Sequence, residues 1–287
     1  MVQAQELEIQ TPQLRVNALA WGPADGRPTL ALHGWLDNAA SYDGLGPLLA
    51  EAGLRLVSLD LPGHGLSQHK AGVYHFVDWV GDVLAVADAL GWEGFTLIGH
   101  SMGAGISTLL AGTVPQRLQQ LVLLEGLGPM SEGPEHAAKR LARSLRSEAR
   151  KSDAEDRKRL YADTQEAVDR LSEATGMDAS SAATLVTRGL LAVDGGWTWR
   201  ADPKLRVDSR LRLTEEHVHV FLRAISCPTL VIRADRGWPT DPAIMRSRLD
   251  CIGDHRLVEL SGRHHVHLDE PALVAASLLP FLREFES

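Results

Sequence analysis

Short hydrophobic runs alternate with stretches of helical periodicity over much of the chain. Before the first run, polar and apolar residues alternate within residues 6–9 and 14–18, which predicts an antiparallel hairpin at a sheet edge. The later runs are nearly continuous in apolar residues, as is typical of strands in a parallel sheet covered by helices on both sides. These runs are residues 29–32, 54–59, 95–98, 121–124, 229–232 and 256–260.

Helical candidates separate these predicted strands. Apolar residues recur at spacings of three and four within residues 42–52, 77–90 and 102–114. A further helix is predicted for residues 271–285, where Pro271 suits the first turn. The alternation of strands and helices predicts an α/β fold with a doubly wound sheet.

The alternation stops between residues 129 and 225, a segment rich in Arg, Lys, Glu, Asp and Ala with helical periodicity over most of its length. The strand pattern resumes at Cys227. We therefore expect residues 129–225 to form a helical insertion (a cap or lid) in a core domain made of residues 1–128 and 226–287. A mixed-charge run within the insertion predicts a solvated helix face. Its charged residues are Glu148, Arg150, Lys151, Asp153, Glu155, Asp156, Arg157 and Lys158.

Composition narrows the class of protein. The chain has 287 residues, and 29 Lys and Arg against 37 Asp and Glu give a formal net charge of -8 without a basic block. Phosphate contacts need clustered Lys and Arg, so we expect no nucleic-acid partner. Two cysteines, Cys227 and Cys251, exclude a disulfide scaffold and a four-thiolate zinc site. The first ten residues lack signal-peptide features and no apolar run approaches ~18 residues, so we expect a cytoplasmic protein without membrane insertion.

One motif carries nucleophile chemistry. Gly99, His100, Ser101, Met102 and Gly103 directly follow a predicted strand and precede a predicted helix, which is the context that a G-x-S-x-G elbow requires. Such a turn lifts the serine hydroxyl to the end of the sheet, above a helix N-terminus that favours negative charge. The sequence therefore predicts Ser101 as a nucleophile.

A second segment predicts an oxyanion hole. His33, Gly34 and Trp35 follow the third predicted strand, where a backbone N–H after the glycine can point at the same site as the N–H after the nucleophile. We therefore expect the backbone N–H groups of Trp35 and Met102 to bind the oxyanion. His33 itself is expected to be structural.

These motifs resemble those of serine hydrolases of the α/β-hydrolase superfamily with an inserted helical cap. Residues 33–38, residues 60–67 and the elbow match the superfamily's landmarks, and residues 33–41 are most similar to the serine hydrolase-like branch. The resemblance implies an α/β-hydrolase fold: a mostly parallel eight-stranded sheet with helices on both faces and the cap inserted. It also implies that residues 60–67 form a supporting loop.

The catalytic base is expected after the last strand, because the triad of this fold runs serine, acid, histidine in chain order. His264, His265 and His267 all lie there. Related motifs place the catalytic imidazole at the first of them, so His264 is the predicted base and His265 the alternative. The chain offers no matching Asp/Glu/His helix pair for zinc, so no metal is expected.

The acid has three candidates. Most of the superfamily places it shortly after the seventh strand, but counted from Pro228 that position falls on Gly237. Glu125, at the end of the sixth strand, is therefore favoured over Asp235, with Asp241 behind. A carboxylate at either strand end could fix the tautomer of the base and stabilise its charged form.

A serine nucleophile favours attack on carbonyls, and the expected activity is hydrolysis of carboxylic esters of short to medium acyl chain through an acyl-enzyme, without a cofactor. Thioesters, lactones and C–C bonds are alternative substrates, and a catalytically inert binding module is the alternative of another class. We expect a small-molecule ester as partner and a monomer or homodimer. Substrate-pocket candidates from the insertion are Trp197, Trp199 and Phe221.

Overall fold

The computed structural model describes residues 2–152 and 159–284, and its main sheet has eight strands in the order β1-β2-β4-β3-β5-β6-β9-β10. β1 pairs antiparallel with β2 and β2 pairs antiparallel with β4, whereas the pairings from β4 through β10 are parallel. The predicted fold class is therefore confirmed. The strands of this sheet are β1 (Gln5–Gln10), β2 (Arg15–Trp21), β3 (Arg27–Leu32), β4 (Leu54–Leu59), β5 (Phe95–His100), β6 (Leu118–Leu124), β9 (Thr229–Arg236) and β10 (His255–Arg263).

The helices around the sheet cover both of its faces. They are α1 (Leu45–Glu51), α2 (Asp78–Ala89), α3 (Met102–Thr113), α8 (Pro242–Leu249), α9 (Val266–Asp269) and α10 (Pro271–Arg283). Residues of α2, α3 and α8 belong to the hydrophobic cluster on one face, and residues of α1 and α10 belong to the cluster on the other. Leu97 and Ile98 of β5 are both fully buried, one in each cluster, which explains why the strand is apolar at successive positions.

Between β6 and β9, where the sequence predicts an insertion, the chain forms further helices and a hairpin. It contains α4 (Ala137–Ser152), α5 (Thr164–Thr175), α6 (Ala179–Gly189), α7 (Glu215–Arg223) and an antiparallel hairpin of β7 (Leu190–Val193) and β8 (Gly196–Trp199). α5, α6 and the hairpin share a third hydrophobic cluster. Among the predicted charged residues, Glu148 and Arg150 lie in α4, while Asp153 to Lys158 lie outside the described residues. No helix within the described ranges is long and apolar enough to cross a membrane.

Two features of this region differ from the sequence expectation. The hairpin was not predicted, because four-residue strands are too short to show periodicity; its signal is the turn dipeptide Asp194-Gly195.

In addition, α7 packs with the core: Val218 and Leu222 are fully buried in the same cluster as α3. The part of the insertion that packs as its own cluster therefore ends before α7, earlier than the predicted boundary at residue 225.

A buried ion pair joins α6 to the core. The Arg188 guanidinium lies 2.8 Å from the Asp60 carboxylate at the end of β4, and these two side chains are 7% and 0% exposed. The Asp60 carboxylate also accepts backbone N–H groups from Ala39 and Leu66, at 2.7 and 2.9 Å. Residues 60–67 thus form the supporting loop that the resemblance implied.

Candidate active site

The serine elbow forms where β5 passes directly into α3. Ser101 has φ +52° and ψ -111°, a conformation that L-residues rarely adopt. A Cβ on Gly99 would lie 2.5 Å from the Gly103 carbonyl oxygen, and a Cβ on Gly103 would overlap the Leu32 carbonyl oxygen. Both glycines of the motif are therefore required by the close approach of α3 to the strand ends.

The loop after β10 brings His264 to this serine. The two groups form a hydrogen bond with His264 Nε2 2.9 Å from Ser101 Oγ, and the His264 side chain is 17% exposed. The ring of Trp238 lies 5.4 Å from the His264 ring, between ring centres. An imidazole in this position can accept the serine proton.

Glu125 lies on the other side of the same imidazole. Its Oε2 atom is 3.1 Å from His264 Nδ1, and its side chain is only 2% exposed. The carboxylate also accepts the backbone N–H of Ala234 at 2.6 Å and that of Trp238 at 2.8 Å. Burial acts to raise the pKa of Glu125, but the hydrogen bonds from His264 and these two N–H groups lower it below its ordinary value. An ionised carboxylate here would hold the proton of His264 on Nδ1.

The other two acid candidates lie elsewhere. Asp235 has a side chain that is 56% exposed, and it accepts the Gly262 N–H at 2.9 Å. Asp241 caps α8 by accepting the Ala243 N–H at 2.8 Å. The structure therefore brings Glu125 to His264, and neither alternative carboxylate forms a hydrogen bond with that imidazole.

Gly237 explains why Glu125 fits. A Cβ on Gly237 would overlap the Glu125 carboxylate. The position at which the superfamily usually carries its acid therefore has no side chain, and a carboxylate from the neighbouring strand fills the space. The glycine at this position was the sequence signal that favoured Glu125.

The two predicted oxyanion donors lie at adjacent turns. Met102 is the first residue of α3, and the contact of Gly103 with the Leu32 and His33 carbonyls places this helix start beside the loop that carries Trp35. Within the described ranges, neither the Trp35 N–H nor the Met102 N–H donates to a backbone carbonyl. Both groups are therefore available to a ligand.

Backbone strain is concentrated here. Among the described residues, the non-glycine residues with positive φ are Leu36 (+67°), Ser101 (+52°) and Glu125 (+53°). Leu36 follows a predicted oxyanion donor, and the other two are predicted triad members. Strained backbone that persists in a fold is typical of functional sites.

Two tryptophans border the site. Trp35 is 50% exposed, and its indole N–H donates to the Leu205 carbonyl at 3.3 Å, so its ring is not part of the core. Trp238 is 56% exposed beside His264. Sequence reasoning missed Trp238 and Ala234, because their contribution is a backbone N–H that no side-chain pattern reveals.

The pocket candidates from the insertion are placed differently. Trp197 and Trp199 pack with α5 and α6, and the Trp199 indole N–H donates to the Tyr161 hydroxyl at 3.0 Å. Phe221 presses its backbone against Gly112, about 16 Å along α3 from Ser101 at 1.5 Å per residue. The backbone of Phe221 therefore lies at the far end of α3 from Ser101, and its contribution to a pocket stays a prediction.

Two further histidines considered in the sequence, His265 and His33, face other groups than Ser101. His265, the alternative base, is directed towards Asp37, with Nε2 3.4 Å from Asp37 Oδ2, rather than towards Ser101. His33 is buried, with Nδ1 2.7 Å from the Gly34 carbonyl and Nε2 accepting the Leu61 N–H at 3.1 Å. This fits the structural role predicted for His33.

The strand order, the elbow and the histidine after the last strand define an α/β hydrolase with serine at the nucleophile position. The model of the α/β hydrolase fold family matches residues 28–271, and the chain belongs to that family.

The chain is also similar to individual proteins of known sequence or structure. The chain is 31% identical to a serine hydrolase-like protein of Dictyostelium discoideum over 94% of this chain and 79% of that protein. It is 29% identical to a serine hydrolase-like protein of Danio rerio over 98% of this chain and 89% of that protein. The crystal structure of a hypothetical protein from Pseudomonas aeruginosa PAO1 is 40% identical, with a TM-score of 0.89 over 98% of this chain and 99% of that chain. The chain is thus a serine hydrolase-like member of the family.

Proposed function

We propose that the protein hydrolyses carboxylic esters through an acyl-enzyme. Ser101 attacks the ester carbonyl carbon while His264 Nε2 takes the hydroxyl proton. His264 then gives that proton to the departing alcohol oxygen as the C–O bond breaks, which leaves the acyl group on Ser101. Water, deprotonated by His264, attacks the acyl carbon and releases the carboxylic acid and the free serine.

The observation that carries the proposal is the continuous hydrogen-bonded chain from Ser101 through His264 to Glu125, with distances of 2.9 and 3.1 Å. Glu125 holds the imidazole in the tautomer that leaves Nε2 free to accept a proton, and it stabilises the imidazolium that forms. A serine that merely packs in the fold would need neither partner.

The charge that develops on the carbonyl oxygen needs donors. The Trp35 and Met102 N–H groups, at the loop after β3 and at the first turn of α3, are assigned to this oxyanion. Since the N-terminus of α3 also carries partial positive charge, the anion is favoured there. All of these steps use groups of the chain itself, so the proposed reaction needs no cofactor and no metal.

The substrate is assigned as an ester of short to medium acyl length. The exposed ring of Trp238 offers apolar surface beside His264, and the insertion would act as the cap that limits chain length. Thioesters, lactones and C–C bonds next to a carbonyl are the second set of candidates, because the serine chemistry does not depend on the leaving group.

A panel of p-nitrophenyl esters from acetyl to dodecanoyl tests the proposal, with thioesters and lactones in parallel. Wild type should be fastest on the shorter esters, and Ser101→Ala should lose at least about 10⁴-fold in kcat/KM. Ser107→Ala, which changes a fully buried serine in the same helix, is the matched control.

A fluorophosphonate probe distinguishes the proposed enzyme from an inert binding module of the same fold. The wild-type protein should be labelled covalently, and Ser101→Ala should not. Absence of both labelling and turnover in folded wild type would overturn the proposal. The cytoplasmic localisation and the monomeric or homodimeric state stay predictions, which cell fractionation and light scattering would test.

A further inference from the structure

Behind the candidate triad lies a second group of ligand-type side chains that the proposed reaction does not use. Asp37, His100 and His265 each offer one atom, and these three atoms all lie within 4.8 Å of one another in the buried interior. Each residue follows or ends a different strand of the parallel sheet: β3, β5 and β10. The carboxyl ends of these strands bring together residues that are far apart in sequence.

The distances in this group are unusual for hydrogen bonds. Asp37 Oδ2 is 3.4 Å from His265 Nε2 and 3.7 Å from His100 Nδ1, beyond the ordinary range of about 2.7–3.2 Å. Within the part of the chain that the structure describes, neither Asp37 Oδ2 nor His100 Nδ1 has a hydrogen-bond partner, although the two side chains are 7% and 0% exposed. Asp37 and His265 can attract each other as an ion pair, but His100 Nδ1 then still lacks a partner, and an occupant between the three groups would satisfy all of them.

The same distances suit a bound cation. Ligands about 2.0–2.1 Å from a tetrahedral zinc ion are separated from each other by about 3.3–3.4 Å. The separations of Asp37 Oδ2 from the two imidazole nitrogens lie at or slightly above this value. The third separation, between the two imidazole nitrogens, is at most 4.8 Å, so a bound ion would draw these nitrogens together by up to about 1.4 Å through rotation of the side chains.

The hydrogen bond that His100 forms is also the one expected of a metal ligand. Its other nitrogen, Nε2, is 2.9 Å from the His264 carbonyl oxygen, which can only accept a hydrogen bond, so Nε2 carries the proton. In the neutral imidazole, Nδ1 is then unprotonated and turned towards Asp37. A histidine whose second nitrogen donates to a backbone carbonyl is the usual arrangement of a metal ligand.

Gly34 leaves the space in which these atoms meet. A Cβ on Gly34 would lie 2.9 Å from Asp37 Oδ2 and 2.9 Å from His100 Nδ1. The atoms of the pair and the backbone of the loop after β3 therefore border the same small region.

We propose that Asp37, His100 and His265 form a binding site for a divalent transition metal ion of the zinc class. Two imidazole nitrogens and one carboxylate oxygen favour such an ion over Mg²⁺ or Ca²⁺, which prefer all-oxygen ligands. His100 and His265 are the sequence neighbours of Ser101 and His264, and all three ligands are distinct from the candidate triad. This inference does not depend on the proposed ester chemistry.

Titration of the full chain without a polyhistidine tag tests the site. After treatment with EDTA, wild type should bind one Co²⁺ ion with the visible absorption of a four- or five-coordinate complex, and Zn²⁺ should displace it. Asp37→Asn and His265→Gln should each weaken binding at least about 100-fold. His264→Gln, which removes the candidate base, and His136→Gln, which changes an exposed histidine paired with Glu135, should bind as wild type does.

Two results would overturn the proposal. One is the absence of Co²⁺ and Zn²⁺ binding to wild type at micromolar concentration. The other is loss of binding in His264→Gln with retention in Asp37→Asn, which would place the ion at the candidate triad.

A measurement on wild type covers the case in which the ligand variants do not fold. In protein with ¹⁵N-labelled histidine, addition of Zn²⁺ should shift the ring nitrogen resonances of His100 and His265 and leave those of His264 nearly unchanged. A shift confined to His264 would contradict the site.

Discussion

Two adjacent strands, β6 and β9, end close to His264, and each supplies a carboxylate. Glu125, just after β6, has a side chain that is 2% exposed and lies against the imidazole, whereas Asp235, within β9, is 56% exposed and bonds the Gly262 N–H. Both residues are acidic and both lie at the carboxyl edge of the sheet. Burial and the set of hydrogen-bond donors, rather than position at a strand end, therefore decide which carboxylate can orient the base.

The cause of the difference lies in a third residue. Gly237 leaves the space that the Glu125 carboxylate occupies, and the turn around it presents the Trp238 N–H to that carboxylate. The backbone after β9 therefore still serves the acid, although the acid itself comes from β6.

The largest effect is expected from neutralising the two carboxylates separately. Glu125→Gln keeps the shape of the side chain but no longer fixes the His264 tautomer, so kcat/KM on the best ester should fall by about 10³–10⁴-fold. Asp235→Asn should stay close to wild type, because that side chain is exposed and accepts the Gly262 N–H rather than a hydrogen bond from the base. The reverse result would transfer the role to Asp235.

A smaller loss of activity is expected when the space that the Glu125 carboxylate occupies beside Gly237 is filled. In Gly237→Ala the new Cβ would overlap the Glu125 carboxylate and displace it, which should lower kcat by about 100-fold. Gly253→Ala is the matched control, since a Cβ at that position meets no atom within 4 Å. Equal activity of the two variants would show that the carboxylate position is not constrained by Gly237.

Moving the acid from position 125, after β6, to position 237, after β9, should restore part of the activity. Glu125→Gly suits the positive φ of that residue and removes the acid, and adding Gly237→Asp returns a carboxylate to the usual position of the superfamily. The double variant should recover about tenfold in kcat/KM over Glu125→Gly alone. If no recovery is measured, the backbone after β9 cannot present an acid to His264.

The smallest effect is expected in the pH dependence of stability. Because the folded-state pKa of Glu125 is lowered below 4.5, the carboxylate contributes stability that is fully present above that pH and is lost as the pH falls below it. The free energy of unfolding in urea should therefore differ more between wild type and Glu125→Gln at pH 7 than in acid. For Asp235→Asn the difference should be small at every pH, since the group is exposed.

Much of the fold was predictable because the signals are local. Continuous apolar runs predicted the central strands, since strands buried on both faces cannot alternate. The elbow was predictable because its five residues form a motif that lies directly between a predicted strand and a predicted helix. His264 followed from the chain order of the superfamily, and the structure places it at Ser101.

The failures concern contacts between distant segments. Helical periodicity shows that α7 has an apolar face, but it does not show that this face packs on the far end of α3. In the same way, Asp37 and His265 are neighbours only because β3 and β10 end at one edge of the sheet. Spacing along the chain carries no information about such pairs.

The ion pair between Arg188 and Asp60 has a consequence for how the site meets its substrate. Separating α6 from the core would leave a buried Asp60 carboxylate without its cation, at a cost of about 3–5 kcal/mol. At equilibrium, fewer than about one molecule in a hundred would have α6 detached from the core. The free protein is thus preorganised at α6, because this helix is held on the core before a ligand binds. Binding energy is then not consumed in bringing α6 to the core.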